Sequence, residues 1–564
     1  MRSFKEWRPW LLPGLVMLLG IGISLGLQTY SQGGVFFNGD AGLRALLSQQ
    51  LSWESWQQVS LNISQPPWVL ALWRQGLYPF TPPYAYEQQG NYFIDAPFSF
   101  SVITAPLYQL MGYRGFYIVP LVSLWVIWLR LLHVCRVWEV RSTMTSLGMA
   151  LVIFASPLTL YGAMYWEHTL AVALAFWGLS GLLLHSLPDA STSRISLNQA
   201  LVNGVCIGLA TWLRSEFFCL VLVLTILMVL CLVPDKHLPK WLQIQVPQGL
   251  SKLVILTCVG AMAATVLGLL AVNGVIYGHP LGVKALEVKV AVPLGQRLAE
   301  IRSNYVHMVV ALLRYFPAIL LGLGLTWVMK GKARKTAMMV VTIGGLFTVL
   351  VPLVAPPAIE TEQWGPRFYL ILVPLVGMIV IAALRNLWWI KTSRRNLMAA
   401  IAFIIVIGTH TNLINGGLRQ YHDPLTNSTS LPSQYAPIPP AIGALGLYDE
   451  RWVAMSHQHV AQRLWPSVRS KIFFRVETDP EVEQLVEALI EQDESSFLYI
   501  CGPQQSCSIP EQQRFRFTQP DARVQVTFNS LGTFGDYPFY RGVIETTVQP
   551  NRASFSTPQS LNGQ

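Results

Sequence analysis

A chain of 564 residues that is 52% hydrophobic and only 12% charged, with a mean hydropathy of +0.42, is too apolar for a soluble protein of that length. Its formal net charge of +10 would suit nucleic acid, but the bases fall mainly in short runs between apolar stretches, where they orient a polytopic protein in a bilayer. Nucleic acid is thereby set aside, and the lipid bilayer is the first expected partner.

In chain order, about eleven stretches have the length that a ~30 Å hydrocarbon core asks of a helix. They run over 10–29, 116–133, 144–160, 168–187, 198–213, 217–233, 252–276, 306–329, 337–355, 368–385 and 397–413. The first follows Arg2, Lys5 and Arg8 and has no small-residue cleavage site, so it reads as an uncleaved span. The fifth and sixth are short and parted only by Arg214-Ser215-Glu216, which leaves a broken or re-entrant pair open. With the N-terminus cytoplasmic, every inner connection is basic, from Arg130, Arg136 and Arg141 through Lys330, Lys332, Arg334 and Lys335 to Arg385, Lys391, Arg394 and Arg395. An odd number of spans then places the C-terminal part outside. The same assignment gathers Asp40, Asp95, Glu167, His168, Arg214, Glu216, His279 and Arg367 on one face of the membrane.

Asp40, in Phe37-Asn38-Gly39-Asp40-Ala41-Gly42, is the best candidate for chemistry. It precedes an amphipathic stretch with Leu43, Leu46, Leu47 and Leu51 at helical spacing, expected to lie flat on the membrane with Trp53 and Trp56 at headgroup level. Asp40 is read there as a reactive group, as the helix N-cap, or as both. The first outer loop, 30–115, is rich in proline and aromatic residues and is expected to be ordered and to hug the membrane. It ends near Asp95, a second candidate carboxylate or simply a turn residue before Ala96-Pro97.

Glu167-His168 stands at a span boundary, where an acid and an imidazole are costly unless solvated or paired; the histidine could polarise a hydroxyl or a phosphate. Arg214 suits phosphate through its planar fork, against the alternatives of an ion pair with Glu216 or a snorkelling side chain. Gly278-His279-Pro280 follows a span directly, and Arg367 is the single base of its outer loop and the second phosphate candidate. Five of the seven cysteines, Cys135, Cys206, Cys219, Cys231 and Cys258, lie in or beside apolar segments as small hydrophobes. Cys501 and Cys507, with five residues between them in polar sequence, could close a small loop on an oxidising side. Residues 416–549 read as a small α/β outer domain, with helical spacing over Glu481–Ile490 and a strand at Phe497–Ile500, before a disordered tail, 550–564.

The phrases Phe37-Asn38-Gly39-Asp40-Ala41-Gly42, Gly208-Leu209-Ala210-Thr211-Trp212-Leu213-Arg214-Ser215-Glu216 and Gly365-Pro366-Arg367-Phe368, together with the topology, resemble the GT-C superfamily of integral-membrane glycosyltransferases over roughly 1–415. Protein O-mannosyltransferases and aminoarabinose transferases share that layout. The resemblance implies an α-helical polytopic fold of about eleven spans, 1–415, with the α/β domain outside the bacterial plasma (inner) membrane. It also implies hexosyl or pentosyl transfer from a polyprenyl-phosphate-linked sugar donor to a lipid, glycan or protein acceptor, with Asp40 as base. Many members have two adjacent acids there, whereas alanine follows Asp40, so a second carboxylate is left among Asp95, Glu167 and Glu216.

The chemistry fits the residues independently. A lipid phosphate at the interface needs a base for the acceptor hydroxyl and cations for the departing phosphate: Arg214, Arg367 and His279. One inverting displacement needs no second nucleophile. No cofactor is required, no metal motif is present, and a carboxylate-bound divalent ion stays open. The alternative is a multi-pass transporter or flippase for a lipid-linked or small solute, which asks for ionisable residues near the bilayer midplane; Arg314 is the ambiguous case. A scaffold carrying a polymer-binding outer domain would need far fewer spans.

Overall fold

The computed structural model describes residues 10–29, 39–53, 59–61, 65–184, 195–233, 251–283, 285, 293–355, 365–388, 391–418, 438–503, 507–512, 514–518 and 522–548. The chain divides into two units: Met1–Asn62 with Pro83–Ala436, and Ile63–Pro82 with Pro437–Gln564.

The first unit is helical, with a helix on each of the eleven expected stretches. Among the described residues five helices are long and apolar enough to cross a bilayer on their own, or six if one bent pair counts as a span; others, such as Ser142–Phe154 and Leu372–Leu387, are shorter. The stretch expected as one span at 306–329 is that bent pair, Leu294–Tyr315 and Ala318–Val328, whose axes differ by 84°. The break falls at Phe316, which leaves helical geometry (φ −141°, ψ 66°), followed by Pro317, whose ring supplies no N–H to continue the ladder. Arg214 lies between two separate helices, Leu197–Ala210 and Phe217–Leu230.

Three helices of the first unit pack almost backbone to backbone. A Cβ on Gly178 of the His168–Leu183 helix would come within 2.4 Å of the Asn203 carbonyl oxygen, and one on Gly204 within 2.4 Å of that of Cys258. Small residues permit this approach in apolar surroundings, where dispersion and polar contacts must do what the hydrophobic effect does in water. The consequence is local: the start of the first helix and the Arg214 turn after the second are held close together.

The Gly39–Trp53 helix departs from expectation. Its leucines 43, 46, 47 and 51 are buried, but so are Arg44, Ser48, Gln49 and Gln50, so residues 41–51 are enclosed on every side instead of lying on a membrane surface. Much of the polar face finds partners within the unit. Ser48, Thr104 and the Tyr165 hydroxyl form a closed triangle of hydrogen bonds at 2.9–3.0 Å, tying this helix to Phe98–Met111 and to the turn before Glu167. Ser101 Oγ also donates to the Arg44 carbonyl. Trp53 is 43% exposed; Trp56 lies outside the described residues. Strands β1 (Ala85–Gln88) and β2 (Asn91–Ile94) form a hairpin that ends at Asp95.

The second unit is a six-stranded mixed sheet in the order β4-β3-β5-β8-β7-β6. The strands are β3 (Trp452–Met455), β4 (Ile472–Arg475), β5 (Ser496–Ile500), β6 (Arg514–Thr518), β7 (Ala522–Phe534) and β8 (Tyr537–Val548). β3 pairs in parallel with β4 and β5, and β8 adds antiparallel to β5. The expected helix and strand are present as Asp479–Glu491, opened by a Thr478–Glu481 capping box, and as β5. Cys501 and Cys507 are disulfide-bonded, as their placement suggested.

Residues 63–82 lie far from this unit in sequence but belong to it. The Trp73 indole donates to the Phe473 carbonyl at 3.2 Å, Trp68 packs edge-on against Trp452, and Arg475 donates to Thr81 Oγ1. The aromatic residues of this part of the first outer loop thus build an α/β core; they were expected to line a membrane surface. The tail 550–564 and the turn-rich stretch before Ile438 lie outside the described residues.

Candidate functional site

Glu167 is the hub of the first unit's polar residues. It immediately precedes the His168–Leu183 helix, its carboxylate is fully buried, and two guanidiniums hold it. Arg44 approaches side-on, with Nε 3.0 Å from Oε2 and Nη2 3.3 Å from Oε1; Arg214 Nη1 lies 3.0 Å from Oε1. Arg214 Nε donates to both oxygens of Glu216, at 3.0 and 3.2 Å. The Arg214–Glu216 pair weighed from the sequence is therefore present, as one half of a chain that continues to Glu167 and Arg44.

Electrostatics favours this arrangement despite burial. Desolvation pushes the Glu167 carboxyl up, but Arg44 and Arg214 more than offset it and hold the group below the usual carboxylate range. Burial lowers Arg214 and its two carboxylates raise it by more, so the guanidinium stays charged. Glu167 and Glu216 also stand at the starts of the helices His168–Leu183 and Phe217–Leu230, where the macrodipole favours negative charge.

Arg367 joins from another element. Gly365 takes φ +76°, a left-handed geometry suited to glycine, and brings the chain over Tyr161 before Pro366 and the Arg367–Tyr369 turn. The Phe368 ring then stands near two guanidiniums, with Arg367 Cζ 4.4 Å and Arg214 Cζ 5.3 Å from its centroid. His168, 3% exposed, lies against Tyr161 and Trp166, at ring separations of 5.4 and 4.9 Å, within electrostatic range of all three arginines.

One feature suits the cluster to an anion. Arg44 Nη1 and both His168 ring nitrogens are buried without a hydrogen-bond partner among the described residues, which costs about 1–3 kcal/mol per group unless a ligand meets them. No three His, Cys, Asp or Glu residues stand together as a metal site among the described residues.

The structure thus brings together Glu167, His168, Arg214, Glu216 and Arg367. Asp40 occupies the first turn of the Gly39–Trp53 helix, one turn and ~6 Å along the axis before Arg44; its side chain lies outside the described residues. Asp95 follows β2, where its N–H donates to the Tyr84 carbonyl, and it interacts electrostatically with Tyr277. His279 is exposed in a turn whose Leu281 N–H donates to its Nδ1. Arg44 is the residue that sequence reasoning missed. Its signal was a lone base four residues after Asp40, and so on the same helical face.

No protein-family model matches the chain, and no curated protein matches it by sequence. Solved structures do. ArnT from Cupriavidus metallidurans superposes with a TM-score of 0.52 in its apo state, at 10% identity over 93% of this chain and 97% of that one. The same enzyme bound to undecaprenyl phosphate gives a TM-score of 0.54, at 10% identity and the same coverage. A slighter likeness, TM-score 0.47 at 12% identity over 88% of this chain and 70% of the other, is to the archaeal oligosaccharyltransferase AglB from Archaeoglobus fulgidus. The fold is that of ArnT, as the resemblance in the sequence implied.

Proposed function

We propose that this protein is a membrane glycosyltransferase that moves a sugar from a polyprenyl-phosphate donor to a lipid, glycan or protein acceptor on the extracytoplasmic face. The observation that carries the reading is the buried Arg44–Glu167–Arg214–Glu216 chain beside Arg367, set in a fold whose relative ArnT binds undecaprenyl phosphate. In this reading Arg214 and Arg367 receive the carrier phosphate, and the His168 imidazole donates to it or to the sugar. Glu167 acts by positioning: its Oε1 accepts from both arginines, its Oε2 lies 3.0 Å from Arg44 Nε, and the group is held below the usual range, so it is a poor proton acceptor. Asp40 then serves as the base that takes the acceptor's proton as the glycosidic bond forms, with inversion, and the lipid phosphate leaves.

Arg314, on which the transporter reading turned, is exposed in the last turn of its helix before the 84° bend. Arg130 is buried within Ile118–Val137, and there it donates to Ser180 Oγ at 2.7 Å and lies over the Trp177 ring.

The reading is tested at Arg367. Arg367→Lys keeps the charge and removes the fork, so affinity for a polyprenyl-phosphate donor should fall about tenfold, or ~1.4 kcal/mol, with insertion intact. Unchanged affinity would return Arg367 to a structural role. Arg214→Lys is less clean, because it also breaks the pairs to Glu167 and Glu216.

We propose further that the N-terminus is cytoplasmic in a bacterial plasma membrane, with the second unit outside. The Cys501–Cys507 bond supports this, since disulfides persist in oxidising compartments. A reporter fused after Leu418 should read as external and one inserted near Lys332 as internal; a cytoplasmic signal at Leu418 would remove the common outer face.

A further inference from the structure

The second unit carries a cationic cluster that the transfer reading does not use, at the carboxyl edge of its parallel strands. In open α/β sheets this edge is where ligands bind, outside the strand ends at the point where strand order reverses. Here the order reverses at β3, between β4 on one side and β5 on the other. The loop after β3 is Ser456-His457-Gln458-His459, and Ser456 Oγ accepts from the Gly502 N–H of the disulfide-closed loop after β5. Arg475 is the last residue of β4, and Arg463 lies beside Tyr537, which opens β8 at the same edge.

The hydrogen bonds fix which atoms can act. The His459 N–H donates to His457 Nδ1 at 3.2 Å, so the neutral His457 ring carries its proton on Nε2 as a donor. His459 Nδ1 is 2.9 Å from Gln462 Oε1, and the two imidazole centroids are 4.4 Å apart. Arg475 is anchored by Nη1 to Thr81 Oγ1 at 3.1 Å, with its buried Nε unpartnered among the described residues. Burial, together with His459, Arg475 and Arg463, pushes His457 down to about 4, and no carboxylate is among the groups acting on it. An arriving anion would offset the repulsion among these groups and favour the protonated imidazole.

We propose that His457, His459, Arg463 and Arg475 form a binding site for a tetrahedral oxyanion, a phosphate group, in the second unit. Imidazole and guanidinium donors converging from the ends of β3 and β4 suit an anion with several oxygens better than a planar carboxylate, which one fork would satisfy. The phosphate has two possible sources, a phosphate ester on a larger molecule or free phosphate.

The test uses the full-length protein in detergent, labelled with 13C at histidine Cε1 and titrated with inorganic phosphate. The His457 and His459 resonances, assigned through His457→Gln and His459→Gln, should shift saturably. The apparent affinity should be unchanged in Arg367→Gln and at least tenfold weaker in the Arg463→Gln/Arg475→Gln double variant. Absence of a saturable shift at both histidines in the parent protein overturns the proposal, whether or not the double variant folds. Equal affinity in a folded double variant, or loss of the shift in Arg367→Gln, overturns it as well. A parallel titration with glycerol 1-phosphate separates the sources: tenfold tighter binding than inorganic phosphate assigns an esterified group, and equal binding assigns free phosphate.

Discussion

Asp40→Asn is expected to reduce sugar transfer by ~10²–10⁴-fold while leaving the protein folded and able to bind donor, because asparagine keeps the shape and loses the proton-accepting oxygen. The structural cost of the change is small. Asp40 lies in the first turn of the Gly39–Trp53 helix, so replacement by a neutral residue forfeits a macrodipole interaction of about 0.3–1 kcal/mol. Arg44 and Ser48, about one and two turns further on than Asp40, continue to anchor the helix through Glu167, Thr104 and Tyr165. A rate loss of several kcal/mol in barrier, set against so small a structural change, separates a base from a cap. Near-normal activity at matched expression would move the search to Asp95, since Glu167 and Glu216 are both committed to arginines.

The second large effect is on stability. Glu167→Gln should destabilise the first unit by about 3–5 kcal/mol, the range for removing one partner of a buried ion pair, because Arg44 and Arg214 would be left with their charges poorly compensated. Thermal unfolding in detergent would measure it. Arg44→Met in the same background should recover part of the loss by removing one of the stranded charges, and the double-mutant cycle gives the coupling. Singles that each cost under about 0.5 kcal/mol would mean that the chain of pairs is solvated. The sign with pH follows from the depressed Glu167 carboxyl. Its contribution is complete above the ordinary carboxylate value of ~4.3 and is lost as pH falls through the lower folded-state value, so the Glu167→Gln difference should shrink in acid.

What could be read from the sequence is what depends on local pattern and on charge. Helices stand at each of the expected apolar stretches, the Glu481–Ile490 periodicity marked a real helix, and the alternation of basic loops put Glu167, His168, Arg214, Glu216 and Arg367 on one face before any contact was known. What could not be read depends on which surfaces meet. The Gly39–Trp53 helix has the pattern of an interfacial helix, and the same pattern serves one enclosed by other helices, because the partners of Arg44, Ser48 and Gln49 lie more than fifty residues away. The association of residues 63–82 with β3 and β4 rests on contacts across some 400 residues, such as Trp73 to Phe473, to which a local window is blind. The bend at Phe316-Pro317 was signalled by the proline, but hydropathy averaged over the window hid it.

The account rests on the carrier phosphate being received at Arg214 and Arg367, and the most direct measurement is a structure of the protein with undecaprenyl phosphate bound. The phosphate is expected within ~3 Å of the Arg214 or Arg367 guanidinium and close to His168, with the lipid tail running along the apolar helices. A phosphate seated among the basic loops around Lys332 and Arg394, or a lipid bound with its headgroup away from all three arginines, would contradict it.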